Sequence, residues 1–343
     1  MSQALHRPSP VDPSRARAVA PDEEPERIAR SLRRGEQRLL STDYAHAADA
    51  LDALRDLLPP APRTASYEAR QSAEQRFREA ALHLLVPVRN HQLDLRGSEP
   101  IAMLAELYPE RTDFTLPFVR VQELYGASRS YVEGRHLAVL GRRLHPFYGT
   151  YLPTRTEHLE LFATWLARYD GPKVQATDVG TGSGVLALML LRTGFSTVWA
   201  TDLNPNAVES VRRERERLDP VPDLRPVCGD LLAEAPADEL VVFNPPWMQG
   251  APGSLVDRAL YYEDGLFERF FDQLDARLGA EGRAVIVFSN VLRLVQPDVP
   301  HPLDEELKRG RFVLEEKLQR RVKPTPPARR TKEKVELWVL RRA

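Results

Sequence analysis

The stretch ATDVGTGSGVLALML, residues 176–190, contains the pattern that decides the fold. A short segment ends at Val179, glycines follow at positions 180, 182 and 184, and an apolar run comes next. Glycine lets the backbone turn sharply and approach a ligand without a Cβ in the way, and the N-terminus of a helix offers backbone N–H groups. The stretch therefore predicts a strand, a glycine loop and a helix, with a ligand at the loop.

Strands and helices are predicted to alternate from about residue 150 onward. The strands are KVQATDVG, STVWATD, LRPVCGD, LVVF and RAVIVFSN, and helical patterns lie between them at 184–193, 205–217 and 266–278. Two further strands, RFVLEEKLQRRV and EKVELWVLRR, follow one another without a helix and should pair antiparallel. The pattern is typical of an α/β protein with a doubly wound, Rossmann-like sheet of seven strands, the last antiparallel.

The first half of the chain has a different pattern, which predicts a mostly helical accessory domain. Helical patterns lie at about 24–40, 45–58 and 66–86, the last ended by Pro87, while FTLPFVRVQELY and YVEGRHLAVLG suggest strands or a hairpin. A capping-box spacing from Thr154 to Glu157 predicts the start of another helix. We predict a disordered tail at 1–25, a helical or mixed substrate-recognition domain at 26–150 and a catalytic domain at 151–343.

Composition excludes several classes of protein. The chain of 343 residues has a formal net charge of -1, yet its end, from residue 317, is strongly basic. A single cysteine, Cys228, excludes an intramolecular disulfide and a Cys-rich metal site. No apolar run approaches the roughly 20 residues that cross a bilayer. These features predict a cytoplasmic protein without a membrane partner.

The glycine loop satisfies neither of two common nucleotide-binding motifs. A dinucleotide fingerprint needs a glycine where Val185 stands, and the Gly-Lys-Ser/Thr ending of a P-loop is missing. Instead Asp202 ends the second predicted strand, about 20 residues beyond the loop, where a carboxylate can accept hydrogen bonds from both ribose hydroxyls of an adenosine. Asn204 and Pro205 are predicted to cap and begin the following helix.

The sequence VVFNPPW, residues 241–247, ends the fourth predicted strand at Phe243 because proline cannot donate to a sheet. The Asn244 side-chain oxygen and the Pro245 carbonyl could both accept hydrogen bonds from an NH2 group and hold it in one place. Pro246 makes the turn rigid, and Trp247 could stack on a planar acceptor. The turn is therefore suited to bind a planar NH2 group.

The motifs DVGTGSG, ATDLNPNA, CGD and NPPW together resemble the class I S-adenosylmethionine-dependent methyltransferases, and within them the HemK/PrmC family, which methylates a glutamine side-chain amide in peptide release factors. The resemblance covers roughly residues 150–343. It implies S-adenosylmethionine as cofactor, a glycine loop and Asp178 at its methionine end, Asp202 at the ribose and Asp230 near the adenine. The cofactor-binding residues it implies are Asp178, Gly180, Thr181, Gly182, Gly184, Asp202, Leu203, Asp230 and Asn244, with no metal.

The methyl acceptor and the binding partner stay open at this point. A glutamine amide of a protein is one acceptor, and an exocyclic amine of adenine or guanine in RNA or DNA is another, since the basic loop KPTPPARRTK could meet phosphates. A scaffold without catalysis is a third hypothesis. The segment from Tyr261 to Asp264 could line the acceptor site or be a surface loop. His136, His145 and His158 lack the spacing of metal ligands.

Overall fold

The computed structural model describes residues 4–62, 65, 67–232, 235–236, 238–251, 257–323 and 332–343. The chain forms two compact units, His6–Arg129 and Ser130–Ala343, the second also including residues 4 and 5. The boundary predicted at 150 thus lies earlier, because the segment before 150 packs against the second unit. Its Phe147 N–H, for example, donates to the Ser210 hydroxyl at 3.1 Å.

The first unit combines helices with a small sheet. Strands β1 to β3 are parallel to one another, whereas β4 and β5 both pair antiparallel with β3. The helices are α1 Pro25–Arg33, α2 Tyr44–Leu57, α3 Tyr67–Ala81, α4 Leu104–Leu107 and α5 Phe118–Glu133, and the strands are β1 Arg17–Ala18, β2 Arg38–Leu39, β3 Leu84–Arg89, β4 Gln92–Leu93 and β5 Phe114–Pro117.

The disordered tail predicted for 1–25 is wrong for its described residues. The Asp12 side chain accepts the N–H of Ser14 at 3.0 Å and caps a short 3-10 turn. The N–H of Val11 donates to the Thr115 carbonyl at 2.9 Å, and β1 pairs with β2. Main-chain hydrogen bonds order this segment. Because such bonds do not depend on apolar side chains, a sequence rich in proline and arginine can form them without any apolar periodicity.

Two further predictions in the first half need correction. The helix predicted to run to 86 ends at Ala81, and Pro87 lies inside β3, opposite Thr115. The run LLVPV is buried throughout, so its apolar residues mimic the continuation of a helix face. Of FTLPFVRVQELY, only the first four residues form a strand, and the rest begins α5. The predicted hairpin is present, but it follows this helix.

The second unit contains the predicted seven-stranded sheet, in the order β10-β9-β8-β11-β14-β16-β15. All neighbours are parallel except at β16, which is antiparallel to both β14 and β15. The strands are β6 Arg135–Leu137, β7 Arg142–Leu144, β8 Gln175–Val179, β9 Thr197–Asp202, β10 Asp223–Cys228, β11 Asp238–Phe243, β12 Met248–Gln249, β13 Tyr261–Tyr262, β14 Leu278–Ser289, β15 Phe312–Arg321 and β16 Lys334–Arg342. The helices are α6 Glu157–Leu166, α7 Val185–Arg192, α8 Pro205–Glu216, α9 Leu266–Arg277, α10 Val291–Val295 and α11 Pro302–Arg309.

Two apolar clusters form the core of this unit. One contains buried residues of α6, α7 and the central strands, and the other contains the phenylalanines of α9 with Phe288 and Phe312. Helix α6 has Thr156 as its N-cap, and the Thr156 side chain makes no capping hydrogen bond. The capping box predicted from Thr154 is therefore wrong.

No helix in the described part of the chain is long and apolar enough to span a membrane.

Candidate cofactor and acceptor site

The predicted site residues gather at one edge of the seven-stranded sheet. Parallel strands β8, β9, β10 and β11 all end there, and they are followed by Gly180, Leu203, Gly229 and Asn244 respectively. In doubly wound sheets, ligands bind at the carboxyl ends of the strands. The strand order therefore brings together the four motifs that the sequence separates by more than sixty residues.

The glycine loop requires small residues for steric reasons. Gly182 and Gly184 have φ angles of 53° and 80°, a region that disfavours residues with a side chain. A Cβ at position 182 would lie 3.2 Å from the carbonyl oxygen of Tyr151, and a Cβ at 184 would lie 3.0 Å from Cγ2 of Val211. The loop is thus packed closely on both a preceding segment and helix α8.

Backbone amides of the loop are hydrogen-bonded within the protein. The N–H of Thr181 donates to the Thr201 carbonyl at 2.9 Å, and that of Gly182 to Asp202 Oδ2 at 2.9 Å. The N–H of Ser183 donates to the Tyr151 carbonyl at 3.2 Å. A loop that binds pyrophosphate presents such amides to the ligand. This loop therefore favours a ligand without a phosphate group, in agreement with the missing nucleotide motifs.

Asp178 holds the glycine loop through hydrogen bonds to its side chain. Its side chain is 1% exposed, and Oδ2 accepts both the Thr181 hydroxyl at 2.7 Å and the N–H of Ala187 at 3.0 Å. Burial raises the pKa of this carboxyl to about 7. Asp178 thus caps the first turn of α7 and fixes the loop, while its implied contact with the methionine end of the cofactor stays a prediction.

Asp202 stands at the end of β9 and connects three parts of the site. Besides the bond from Gly182, its Oδ1 accepts the N–H of Asn204 at 2.8 Å. Burial raises the pKa of Asp202. Leu203 beside it is 57% exposed, unusual for a large apolar side chain and suitable for packing on a flat ring. Asn204 accepts the N–H of Asn206 at 3.1 Å and caps α8, as predicted.

Asp230 lies after the end of β10 and is the most open of the predicted acids. Its carboxylate is 40% exposed and forms an ion pair with Arg269 of α9 at 3.2 Å. The N–H of the preceding residue, Gly229, donates to the Asp202 carbonyl at 3.1 Å and holds the two strand ends together. Asp230 is therefore placed close to Asp202, and its proximity to adenine stays a prediction.

Asn244 shows a feature that the sequence could only suggest. Strand β11 ends at Phe243 as predicted, and the next side chain places its Oδ1 in a buried position without a hydrogen-bond partner. An unsatisfied buried acceptor costs about 1–3 kcal/mol, so such an atom is usually reserved for a ligand or a water. Pro245 is buried and Pro246 half-buried, so the turn is packed in place.

Trp247 is held by contacts on two sides. Its indole N–H donates to the Val287 carbonyl of β14 at 3.3 Å, and His158 of α6 packs edge-to-face with the ring at 5.7 Å and 89°. His158 is 3% exposed, and neither ring nitrogen has a hydrogen-bond partner. Burial lowers the pKa of His158 to about 4, so its imidazole is neutral at pH 7. Sequence reasoning considered this histidine only as a metal ligand.

A second residue missed from the sequence, Gln296, holds the segment after the NPPW turn. Its Oε1 accepts the N–H of Gln249 at 3.0 Å, and its Nε2 donates to the Gln249 carbonyl at 2.9 Å. Gln249 lies in β12, which pairs with Tyr261 and Tyr262 of β13. The tyrosines considered as a possible site wall are thus brought next to the turn. The Gln296 side-chain amide bonds to the Gln249 main chain as a neighbouring strand would. No pattern in the sequence indicates such a contact.

The residues present fit S-adenosylmethionine, the predicted cofactor. The site offers a glycine loop with no room for a Cβ, a carboxylate at the end of β9, an exposed apolar residue after it and an unpartnered amide oxygen at the end of β11. These match the needs of a methionine portion, a ribose, an adenine and a methyl acceptor.

Comparison with known proteins finds similarity over part of this unit. Residues 160–317 match the family model described as Methyltransferase small domain. The ribosomal protein L11 methyltransferase of Symbiobacterium thermophilum is 39% identical over 80 residues, which are 23% of this chain and 26% of that protein. The one from Leuconostoc citreum is 48% identical over 58 residues, 17% of this chain and 20% of that protein. The chain thus matches a minor part of these relatives' own length.

Solved structures give a weaker comparison. A ribosomal protein L11 methylase from Lactobacillus delbrueckii subsp. bulgaricus has 17% identity, covers 61% of this chain and 91% of that chain, and has a TM-score of 0.41. Methanocaldococcus jannaschii Trm5 in complex with adenosine has 16% identity, covers 57% of this chain and 51% of that chain, and has a TM-score of 0.39. TM-scores at this level carry no functional argument.

The α/β fold with a seven-stranded sheet predicted from the sequence is confirmed by the strand order, and the family match over residues 160–317 agrees with the predicted methyltransferase class. The narrower HemK/PrmC resemblance stays a prediction. What the comparison gives is therefore a match to the Methyltransferase small domain over residues 160–317, which is less than half of the chain.

Proposed function

We propose that this protein is an S-adenosylmethionine-dependent N-methyltransferase that acts on a planar NH2 group. The observation that carries the proposal is the buried, unpartnered Oδ1 of Asn244 at the carboxyl edge of the sheet. It lies after β11, which pairs with β8, and β8 leads into the glycine loop. The acceptor and donor elements are therefore on adjacent strands.

The acceptor clamp acts by positioning and by hydrogen bonding. An amide or exocyclic amine nitrogen is a poor nucleophile because its lone pair is delocalised. Asn244 Oδ1 and the Pro245 carbonyl accept hydrogen bonds from the NH2 group, which holds the nitrogen and favours a lone pair aimed at the donor. S-adenosylmethionine supplies an electrophilic methyl group when bound. Trp247 excludes water and forms a flat wall beside the acceptor.

A glutamine side-chain amide of a protein is the proposed acceptor. The HemK/PrmC resemblance supports it, and the matching relatives are named as methyltransferases of ribosomal protein L11, also a protein substrate. The first unit, His6–Arg129, is proposed to recognise the protein that carries this amide. Asp202, Leu203 and Asp230 are proposed to bind the adenosine part of the cofactor.

An exocyclic amine of a nucleic acid is a second candidate, and one observation favours it. The end of β15 and the start of β16 lie at the same edge of the sheet as the end of β14, since Val335 pairs with both Ser289 and Arg320. Arg321 is exposed there, as are Lys323 and Lys332. Basic side chains near the acceptor turn could neutralise phosphates. Most of the loop KPTPPARRTK, which gave rise to this alternative, lies outside the described residues.

Methyl transfer in fractionated cell extract tests the proposed function. The purified chain is incubated with extract and with cofactor labelled on its methyl group, and the labelled fraction is treated separately with protease and with nuclease. We expect label that survives nuclease, is released by protease and appears as methylated glutamine after digestion. Label lost with nuclease would establish the second candidate instead. Transfer to neither class of macromolecule, with cofactor bound, would contradict both.

A further inference from the structure

Helix α8 carries a row of buried polar side chains that the proposed chemistry does not use. Asn206, Ser210 and Glu214 follow one another at intervals of four residues and so lie on one face of the helix. They are 0%, 0% and 1% exposed. Three consecutive buried polar groups on a helix face are costly unless each is hydrogen-bonded. We call these three residues, with the N-cap Asn204, the α8 ladder.

The α8 ladder binds the main chain of one segment, residues 145–149. The N–H of His145 donates to Glu214 Oε1 at 2.8 Å, and the N–H of Phe147 donates to the Ser210 hydroxyl at 3.1 Å. The partners at the other end are carbonyls: Asn206 Nδ2 donates to Tyr148 at 2.8 Å and Asn204 Nδ2 to Gly149 at 2.9 Å. The segment therefore runs antiparallel to α8 and towards the helix N-terminus.

The charged end of the ladder is also compensated. Glu214 Oε2 forms an ion pair with Arg142 at 3.0 Å, and Oε1 forms one with Arg217 at 3.1 Å. A buried carboxylate with two cationic partners and an amide partner is held by three interactions, and loss of both arginines would leave a buried charge uncompensated. The end of the segment farther from the site is thus held through the buried Glu214.

Beyond Gly149, the segment reaches the glycine loop. The Tyr151 carbonyl accepts the N–H of Ser183 at 3.2 Å, and the same oxygen lies where a Cβ of Gly182 would come within 3.2 Å. The neighbouring amide of Gly182 is bonded to the ribose acid, Asp202. A shift of the segment would therefore be transmitted to two consecutive amides of the loop.

We propose that the α8 ladder sets the affinity for S-adenosylmethionine by holding the Tyr151 carbonyl against the glycine loop. Asn206, Ser210 and Glu214 are positioning residues that act through the segment and touch neither the cofactor nor the acceptor. The inference rests on the proposed function for the identity of the cofactor. It assigns to the ladder a role in binding and none in the methyl-transfer step.

Two ladder variants of the full-length protein test the inference, Ser210→Ala and Glu214→Gln. Ser210→Ala removes the acceptor of a buried N–H, and Glu214→Gln removes the charge that pairs with two arginines. Glu216→Gln makes the same charge change on the exposed side of the helix, where Glu216 pairs only at the surface with Arg212, and serves as the control. Calorimetry with S-adenosylmethionine is run well below each variant's unfolding temperature, together with amide hydrogen exchange of residues 180–184.

The expected result is a Kd about tenfold higher in both ladder variants, or about 1.4 kcal/mol, with the control unchanged. Exchange of the loop amides should become faster in the ladder variants, and kcat at saturating cofactor should stay within about twofold of wild type. Lower unfolding temperatures with unchanged Kd and unchanged loop exchange would overturn the inference, because the ladder would then be structural only. A fall in kcat at saturating cofactor would overturn it as well.

Failure of the proposed function gives a different result. It would show as absence of methyl transfer by the wild-type chain with cofactor binding intact, and the tenfold difference in Kd among the variants would still support the ladder's role. Failure of the inference would show as equal Kd in wild type and ladder variants, whether or not methyl transfer occurs.

Discussion

The proposed donor side of the site, at the glycine loop, and its proposed acceptor side, at the NPPW turn, differ in how their polar groups are satisfied. On the donor side, the N–H groups of Thr181, Gly182 and Ser183 are all bonded to protein acceptors. On the acceptor side, Asn244 Oδ1 and both ring nitrogens of His158 are buried without a partner. The protein thus fixes its glycine loop by its own hydrogen bonds, whereas it leaves buried atoms beside the NPPW turn whose hydrogen-bonding capacity is free for the proposed acceptor.

The largest expected effect is on the acceptor side, at Asn244. Replacing it as Asn244→Ala removes the side-chain acceptor of the NH2 group, and we expect kcat to fall by about a hundredfold or more. The Kd of S-adenosylmethionine should change by less than about threefold, because the loop amides do not depend on this residue. Steady-state kinetics and calorimetry on the same preparation measure the two quantities.

Asn244→Asp serves as the matched control for that prediction. It keeps an oxygen at the same place but introduces a charge and removes the amide NH2. We expect turnover between wild type and Asn244→Ala. If both Asn244 variants lost cofactor binding in proportion to turnover, the NPPW turn would support the donor side as well as the acceptor side. The proposed difference between the two sides would then be wrong.

A smaller loss is expected at Asp202, and it falls on the donor side. Asp202→Ala removes the proposed ribose contact and also the acceptor of the Gly182 N–H, so we expect the Kd of S-adenosylmethionine to rise about fiftyfold. Asp202→Asn retains one acceptor oxygen and should raise Kd about tenfold. Asp230→Ala, at the exposed ion pair with Arg269, should have the smallest effect of the three. Calorimetry measures the Kd of all three variants. Kd values equal to that of wild type in both Asp202 variants would show that the carboxylate at the end of β9 is dispensable.

The donor side was largely predictable because its determinants are local. Glycines at 180, 182 and 184, the acid ending β9 and the cap at Asn204 each constrain the backbone where they stand, and the strand order follows from the alternation of strands and helices. The conformation of the loop therefore follows from short stretches of sequence. The end of β11 at Phe243 was predictable for the same reason, since consecutive prolines cannot continue a ladder.

Long-range hydrogen bonds were not predictable. Gln296 meets Gln249 across 47 residues, and Ser210 meets Phe147 across 63. The sequence does not distinguish a buried serine or glutamine from an exposed one. Only the folded chain shows which main-chain groups its side chain bonds to. The boundary predicted at 150 instead of 129 has this cause, because the contacts of residues 142–149 with α8 are made by such side chains.

A medium effect on stability is expected at Gly184, where loop and α8 meet. Gly184→Ala adds a Cβ at 3.0 Å from Cγ2 of Val211 in a backbone with φ of 80°, so we expect the free energy of unfolding to fall by about 2 kcal/mol. Val211→Ala in the same chain relieves the contact but not the backbone strain and should recover part of the loss. Denaturant unfolding measures each variant. Full recovery would mean that strain at Gly184 is negligible.

The smallest expected effect at neutral pH is that of His158→Phe. The phenyl ring preserves the edge contact with Trp247 and removes two unpartnered nitrogens, so stability at pH 7 should be unchanged or higher by up to about 1 kcal/mol. We expect kcat/KM for the acceptor to fall about fivefold if the imidazole bonds to substrate. Full activity of His158→Phe would show that the His158 nitrogens do not bind the substrate, which leaves Asn244 as the unpartnered group that does.

The pH dependence of stability provides a second measurement on His158, and His301 is its control. The pKa of each imidazole is lowered to about 4 by burial, below its unfolded value, so the stabilisation is present above pH 6.5 and is lost as pH falls towards 4. His158→Phe and His301→Phe should therefore lose less stability than wild type over that range, by up to about 1.4 kcal/mol for each pH unit. His301 stacks on Trp338 at 5.5 Å, in the cluster on α9 and α11, so only the His158 variant should also change methyl transfer. Equal activity losses in both would assign the effect of His158 to packing alone.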